Sequence, residues 1–171
     1  MKTRKPRIGH GYDLHRLEIR HPEGPGRPFI LAGVTLEHQK GPVSHSDGDA
    51  AYHAVTDALL GALGEEDIGQ LFPDDAPEWA DGDSAIFLKE ASRRVLDAGF
   101  EIGNLDVTIV CQQPKISPHK NAMKINLADT LGTPVEDVNI KAKTHEEVDA
   151  VGEGRAVEVH AVVLLMPRDE D

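Results

Sequence analysis

The chain has 171 residues with 39% hydrophobic and 28% charged content, which suits one soluble domain with its own core. A formal net charge of -12 argues against nucleic acid as the main partner, because phosphate backbones need basic faces. No apolar run approaches a membrane span, the opening "MKTRKPR" lacks the apolar core of a secretory signal, and one cysteine excludes an internal disulfide framework, so a cytoplasmic protein with no membrane partner is expected.

In chain order, "RIGHGYDLHRL", Arg7 to Leu17, predicts a strand with Gly9, Gly11, Asp13 and His15 on one face and Ile8, His10, Tyr12 and Leu14 on the other. Asp13 and His15 then stand roughly 7 Å apart along the backbone, close enough to converge on one cation. A carboxylate holding a neighbouring imidazole explains an isolated Asp-x-His better, so a metal site needs a third ligand from elsewhere in the chain. Arg20 to Gly26 is a Pro/Gly turn, and "RPFILAGVTLE" reads as a hairpin around Ala32-Gly33. "SDGDAAYHAVTDALLGAL" follows as a helix, with Ser46, Asp47 and Asp49 as competent N-caps and Ala50, Ala54, Leu59 and Leu60 at apolar helical spacing. Glu65 to Asp83 holds eight acidic residues and no Lys or Arg; it reads as a solvated loop in which Asp67 and Asp74 stay candidates for function.

"DSAIFLKEASRRVLDAGF" is a second helix, capped by Asp83 or Ser84 and stopped by Gly99. "EIGNLDVTIVCQ" is a strand in which Cys111 is a buried reduced thiol rather than a nucleophile, since nothing cationic within the strand depresses its pKa. "SPHKNAMKINLADTLG" is a third helix with Pro118 near its start, and "VNIKAKT" and "AVEVHAVVLLM" are further strands. The order predicts one α/β or α+β domain with ferredoxin-like βαβ elements over residues 1–171, the tails 1–6 and 168–171 being frayed. Aromatics at 4% give a thin core and point to burial supplied by oligomerisation.

On the first helix Asp49, His53 and Asp57 are spaced i, i+4, i+8, so an imidazole and two carboxylates are expected along one stripe. His53 is the natural third ligand beside Asp13 and His15. Two histidines and a carboxylate fit zinc with one tetrahedral position open, as Lewis-acid catalysis needs. Asp57 would fix the His53 tautomer or bind a substrate hydroxyl. A pair of buried structural histidines is the other reading of these residues alone.

Four blocks, "RIGHGYDLHRL", "HSDGDAAYHAVTDALLGALGEEDIGQLFPD", "DVTIVCQQPKISPH" and "VNIKAKTHEEV", resemble the successive signatures of the 2-C-methyl-D-erythritol 2,4-cyclodiphosphate synthase family, from Arg7 to Met166. The resemblance implies a homotrimer whose mixed sheet faces the threefold axis with helices outside, and three active sites at subunit interfaces. It implies that 4-diphosphocytidyl-2-C-methyl-D-erythritol 2-phosphate is converted to the cyclic diphosphate and CMP by attack of the 2-phosphate on the β-phosphorus. An anionic nucleophile meeting an anionic diphosphate needs cations and donors placed in advance.

The resemblance also distributes roles. Asp13, His15 and His53 would hold zinc, with Leu14 beside the substrate, and Glu146 would hold magnesium or manganese. His45 and Ser46 match residues that approach the 2-phosphate, and His45 with Thr144 would stabilise the transition state. Asp67, Ile68 and Gly69 match the segment that holds the diol hydroxyls; Phe72, Pro73, Asp74, Asp75 and Ala76 match the loop beside the erythritol. Cys111, Gln112, Gln113, Pro114, Ile116 and Ser117 match the cytosine pocket, where Lys115 would meet the phosphates. Lys143 and His145 complete the segment around Thr144 and replace small hydroxyl residues of the common pattern, adding positive charge near the diphosphate.

After Glu146 the segment "EEVDAVGEGRAVEV" is shorter than the common pattern by about two residues, as loops tolerate. No residue matches the Phe and Arg that many members place there. Two other readings of the same residues are a zinc-dependent phosphoesterase of nucleotide diphosphates, with water as nucleophile, and a non-catalytic nucleotide-binding trimer.

Overall fold

The computed structural model describes residues 4–73 and 82–168. Its long first strand, β1 (Arg7–Ile19), alternates as its sequence demands, with Gly9, Gly11 and Leu17 buried and Ile8, His10, Tyr12 and Leu14 exposed. β2 (Phe29–Leu31) and β3 (Val34–Leu36) form the expected hairpin. Its turn residues Ala32 and Gly33 have φ of 46° and 70°, the left-handed pair that a two-residue turn requires to match strand twist.

A short β4 (Lys40–Pro42) precedes α1 (Ala50–Leu63), α2 (Ile68–Leu71) and α3 (Ser84–Asp97). Then come β5 (Phe100–Val110), α4 (Lys120–Leu131), β6 (Val138–Lys143), α5 (Asp149–Gly152) and β7 (Ala156–Pro167). The main sheet has the order β4-β1-β7-β5-β6, in which β5 and β6 are parallel and the other pairings antiparallel. β5-α4-β6 is the one parallel crossover, so the sheet is mixed, and the fold is the α/β type the element order predicts. β4, α2 and α5, of three or four residues each, are too short to show a period and escape the sequence reading.

α1, α3 and α4 sit on one face of the sheet, and α5 packs through Val151 against Val110 and Ala156, which alternate with the main-core residues Ile109 and Val157. Gly9 and Gly11 let α1 lie directly on β1, because a Cβ at either would stand 1.8 Å from the carbonyl oxygen of Ala58 or Ala54. Alanines on the facing side of α1 complete the approach, and Leu59, Leu88, Leu105, Ile109, Met123 and Leu165 fill the buried core around it. This backbone contact carries His53, on α1, to the middle of β1 where Asp13 and His15 project. Beyond α5 that opposite face is largely uncovered among the described residues: Ile8 is 72% exposed, and Tyr12, Leu14, Val162 and Met166 are exposed with it.

Candidate metal centre and substrate cleft

Asp13, His15 and His53 offer ligand atoms that all lie within 4.8 Å of one another, and they are the one such group among the described residues. Asp13 Oδ2 lies 2.7 Å from His15 Nδ1 and 3.3 Å from His53 Nδ1. Asp13 Oδ2 and His15 Nδ1 are buried and, although close, are not aligned as donor and acceptor, so neither has a hydrogen-bond partner. Buried polar atoms without partners are costly. A cation that accepts lone pairs from all three side chains satisfies them, and the hard oxygen and two imidazoles suit a divalent ion. Burial works to raise the Asp13 carboxyl, but the two imidazoles outweigh it and hold the group at about 2. Burial likewise opposes the charged form of His53, yet the Asp13 carboxylate moves its pKa above the usual value.

Hydroxyl groups hold the outer edges of both rings. His15 Nε2 is 3.3 Å from Ser44 Oγ, and His53 Nε2 is 2.8 Å from Ser84 Oγ and 3.3 Å from Ser46 Oγ. Phe87 packs on His53 with ring centroids 6.2 Å apart and on Phe72 at 4.6 Å. The three ligands open into a cleft of about 410 Å³, lined also by Leu14, His45, Ser46, Ile68, Gly69 and Phe72. His45 Nε2 is a further buried nitrogen without a partner, a donor placed for an anion. Arg27 fixes this wall by donating to the carbonyls of Ser44 and His45 at 2.8 and 3.3 Å. Ser44, Ser84, Phe87 and Arg27 were missed as site residues by sequence reasoning; they come from three separate segments, and only Ser84 and Phe87, one turn apart on α3, share a spacing.

The three-residue stripe expected on α1 does not converge. Asp49 is the N-cap and turns to the hairpin, accepting from the N–H groups of Ala32, Gly33, Ala51 and Tyr52 at 2.7 to 3.1 Å. An N-cap residue lies off the helical spiral, so counting from it by fours misplaces its side chain. Asp57 accepts from the Ile68 N–H at 2.8 Å, anchoring α2 rather than setting the His53 ring. Asp67 caps α2, accepting from Gln70 N–H at 3.1 Å, and Pro73 follows it. Asp74, Asp75 and Ala76 lie outside the described residues.

The remaining candidates form a second group. β5 and β6 run parallel, with Val110 opposite Lys143, so Cys111 to Ser117 and Lys143 to Glu146 leave the sheet side by side. Cys111 N–H donates to the Lys143 carbonyl at 2.9 Å, and His145 N–H donates to Gln112 Oε1 at 3.2 Å. Cys111 is buried and its thiol pushed up to about 12 by that burial, while Lys115, Thr144 and Glu146 are exposed. Thr144 Oγ1 donates to Glu146 Oε1 at 3.0 Å. Glu146, Glu147 and Asp149 all have φ between 50° and 61°, a strained turn for non-glycine residues of the sort found at functional sites. The His145 ring pairs with Asp149 at 2.9 Å, which raises its pKa. None of this second group lines the cleft at Asp13: three strand positions, at ~4.8 Å each, separate β1 from β6.

A mixed sheet carrying an Asp/His/His group that could hold a metal ion, beside a cleft, defines the class: an α/β enzyme domain. The YgbB family model matches residues 6–166. A chloroplastic 2-C-methyl-D-erythritol 2,4-cyclodiphosphate synthase of Arabidopsis thaliana is 53% identical over 167 residues, covering 98% of this chain and 70% of that protein. The synthase of Cupriavidus metallidurans is 48% identical over 165 residues, 96% of this chain and 95% of its own. Among solved structures, a CDP complex of IspF from Plasmodium falciparum superposes with a TM-score of 0.83 at 37% identity, over 96% of this chain and 97% of that one. The bifunctional IspDF of Campylobacter jejuni gives 0.89 at 37% identity, this chain covering 43% of it. The chain belongs to the YgbB family, and its activity is that of the 2-C-methyl-D-erythritol 2,4-cyclodiphosphate synthases.

Proposed function

We propose that the chain cyclises 4-diphosphocytidyl-2-C-methyl-D-erythritol 2-phosphate at sites completed between the subunits of a cytoplasmic homotrimer. An oxygen of the 2-phosphate forms a bond to the β-phosphorus, the bond from that phosphorus to the bridging oxygen breaks, and CMP leaves with the bridging oxygen. A zinc ion on Asp13, His15 and His53, with magnesium or manganese at Glu146, supplies positive charge to the diphosphate when bound. His45 Nε2, without a partner in the protein, donates to the 2-phosphate, with Ser46 beside it. Asp67, Ile68 and Gly69 hold the diol, and Phe72 covers the erythritol. The strand-end loops Cys111 to Ser117 and Lys143 to Glu146 take the cytidine and its phosphates, Lys115 contributing charge and Thr144 a transition-state donor.

The observation that carries the reading is the convergence of Asp13, His15 and His53 ligand atoms within 4.8 Å beside the open cleft, two of them buried with no hydrogen-bond partner among the described residues. The His53-to-Asp13 separation of 3.3 Å equals the ~3.3 Å between two ligands on a tetrahedral ion with bonds near ~2.05 Å. Division of the candidates into two groups on one chain, together with an uncovered apolar sheet face, supports assembly through heterologous interfaces. Incubating the protein with the cytidyl substrate and following phosphorus by NMR tests it. Cyclic diphosphate with CMP is expected, whereas a linear bisphosphate with CMP would mean hydrolysis, and no turnover a binding protein.

A further inference from the structure

We propose that Ser84, at the first position of α3, is a positioning residue for the metal centre: with Asp47 it fixes which nitrogen of His53 carries the proton. The inference follows from counting hydrogens. Ser84 Oγ donates its single hydrogen to Asp47 Oδ1 in a short bond. Only lone pairs then remain on Ser84 Oγ toward His53 Nε2, 2.8 Å away. His53 Nε2 must therefore be a donor, and in the neutral ring that a metal binds this leaves Nδ1 bare; Nδ1 is the nitrogen that lies 3.3 Å from Asp13 Oδ2 within the ligand group. A second, longer ring contact, from Ser46 Oγ at 3.3 Å, meets the same Nε2 and leaves Nδ1 untouched.

Asp47 cannot reverse this order, because a carboxylate has no hydrogen to give and two backbone donors hold it in place. Oδ1 also accepts from Asp49 N–H at 3.1 Å, and Oδ2 accepts from Ser84 N–H at 3.1 Å. Those two N–H groups belong to the starts of α1 and α3, where backbone donors lack helical partners. The beginnings of two helices thus hold one carboxylate, the carboxylate orients one hydroxyl, and the hydroxyl selects the tautomer of one ring. Outer partners of this kind fix ligand histidines and raise their affinity for metal. Ser84 is fully buried, yet its helix does not depend on its hydroxyl, because Asp83 is the cap and accepts from Ala85 N–H at 2.8 Å.

The inference rests on the proposed metal site, and its test separates the two. Ser84→Ala, Ser84→Thr and wild type are compared by zinc competition titration, and in the metal-free state by nitrogen NMR of labelled imidazoles, with the His53 signals assigned by their loss in His53→Ala. Wild type, at a pH high enough for the His53 ring to be neutral, is expected to show the Nε2–H form. Ser84→Ala should lose that preference and bind zinc about 10- to 100-fold more weakly, and Ser84→Thr, which keeps a hydroxyl, should restore both. Circular dichroism checks that each variant is folded, and Ser46→Ala serves as the comparison for the longer bond, with a smaller loss of affinity expected. Unchanged affinity in folded Ser84→Ala, or weakened affinity with the tautomer unaltered, overturns the inference. Failure of wild type to bind any divalent ion would sink the metal site instead, and the tautomer measurement would still decide the role of Ser84.

Discussion

The two candidate groups on this chain are built differently. Around Asp13, His15 and His53 the side chains are mostly buried, each ring is held on its far edge by a serine, and a helix is pressed against a strand with no Cβ between them. At the ends of β5 and β6 the backbone is fixed by parallel pairing, but Lys115, Thr144 and Glu146 project from loops with exposed side chains. The first group is complete within the chain as a ligand set; the second presents donors and charges to something outside it. Preorganised cations and separately supplied nucleotide contacts are what a split site requires.

The largest effect is expected at the first group. His53→Ala should leave the fold intact, since the ring sits at the cleft wall, and reduce turnover by at least about 1,000-fold by removing a ligand; a folded, metal-depleted variant that cyclises at the normal rate would contradict the assignment. At the second group, Cys111 is one of two deeply buried positions, with Ile116. With its pKa moved from 9.0 to about 12 by burial, the thiolate fraction at pH 8 should be about 1,000-fold below that of an ordinary thiol. Alkylation followed by mass spectrometry should be correspondingly slow in the native protein and fast in denaturant. The direction for stability follows: the raised native pKa favours the folded state fully below pH ~9, and that contribution is lost as pH rises toward ~12.

Gly11→Ala probes the packing that delivers His53. The new Cβ would meet the Ala54 carbonyl oxygen at 1.8 Å, backbone against backbone, and about 3 kcal/mol of stability should be lost in denaturant unfolding. A variant as stable as the parent would show that the helix-strand contact is looser than described. Glu146→Gln is expected to be milder, raising the magnesium needed for half-maximal activity about tenfold while leaving zinc content unchanged by elemental analysis. Loss of zinc along with activity would merge the two groups into one site.

Much of this was legible before the fold was known, and unevenly so. Strict alternation in β1 put Asp13 and His15 on one face, and helical register put His53 within reach, because both periods are long enough to read. The same register misled at Asp49, where the capping geometry overrode it. Ser44, Asp47 and Ser84 could not be found, since their role arises only when α1, α3 and the loop before α1 meet. The acidic segment gave no such guide, and the four-residue α2 within it, which brings Ile68 and Gly69 to the cleft, is too short to leave a pattern. At the second group the adjacency of Cys111 and Lys143 depends on a parallel strand pairing that sequence distance conceals.

Complementation tests the split site most directly. Asp13→Ala and Lys115→Ala proteins, each nearly inactive alone for want of metal or of a phosphate contact, are unfolded and refolded together in equal amounts, and mixed assembly is verified by mass. With the metal group from one subunit and the nucleotide group from the next, random trimers contain about a quarter intact sites, and activity should recover to roughly that fraction of wild type. Verified mixed trimers with no activity above their parents would show that both groups act within one chain.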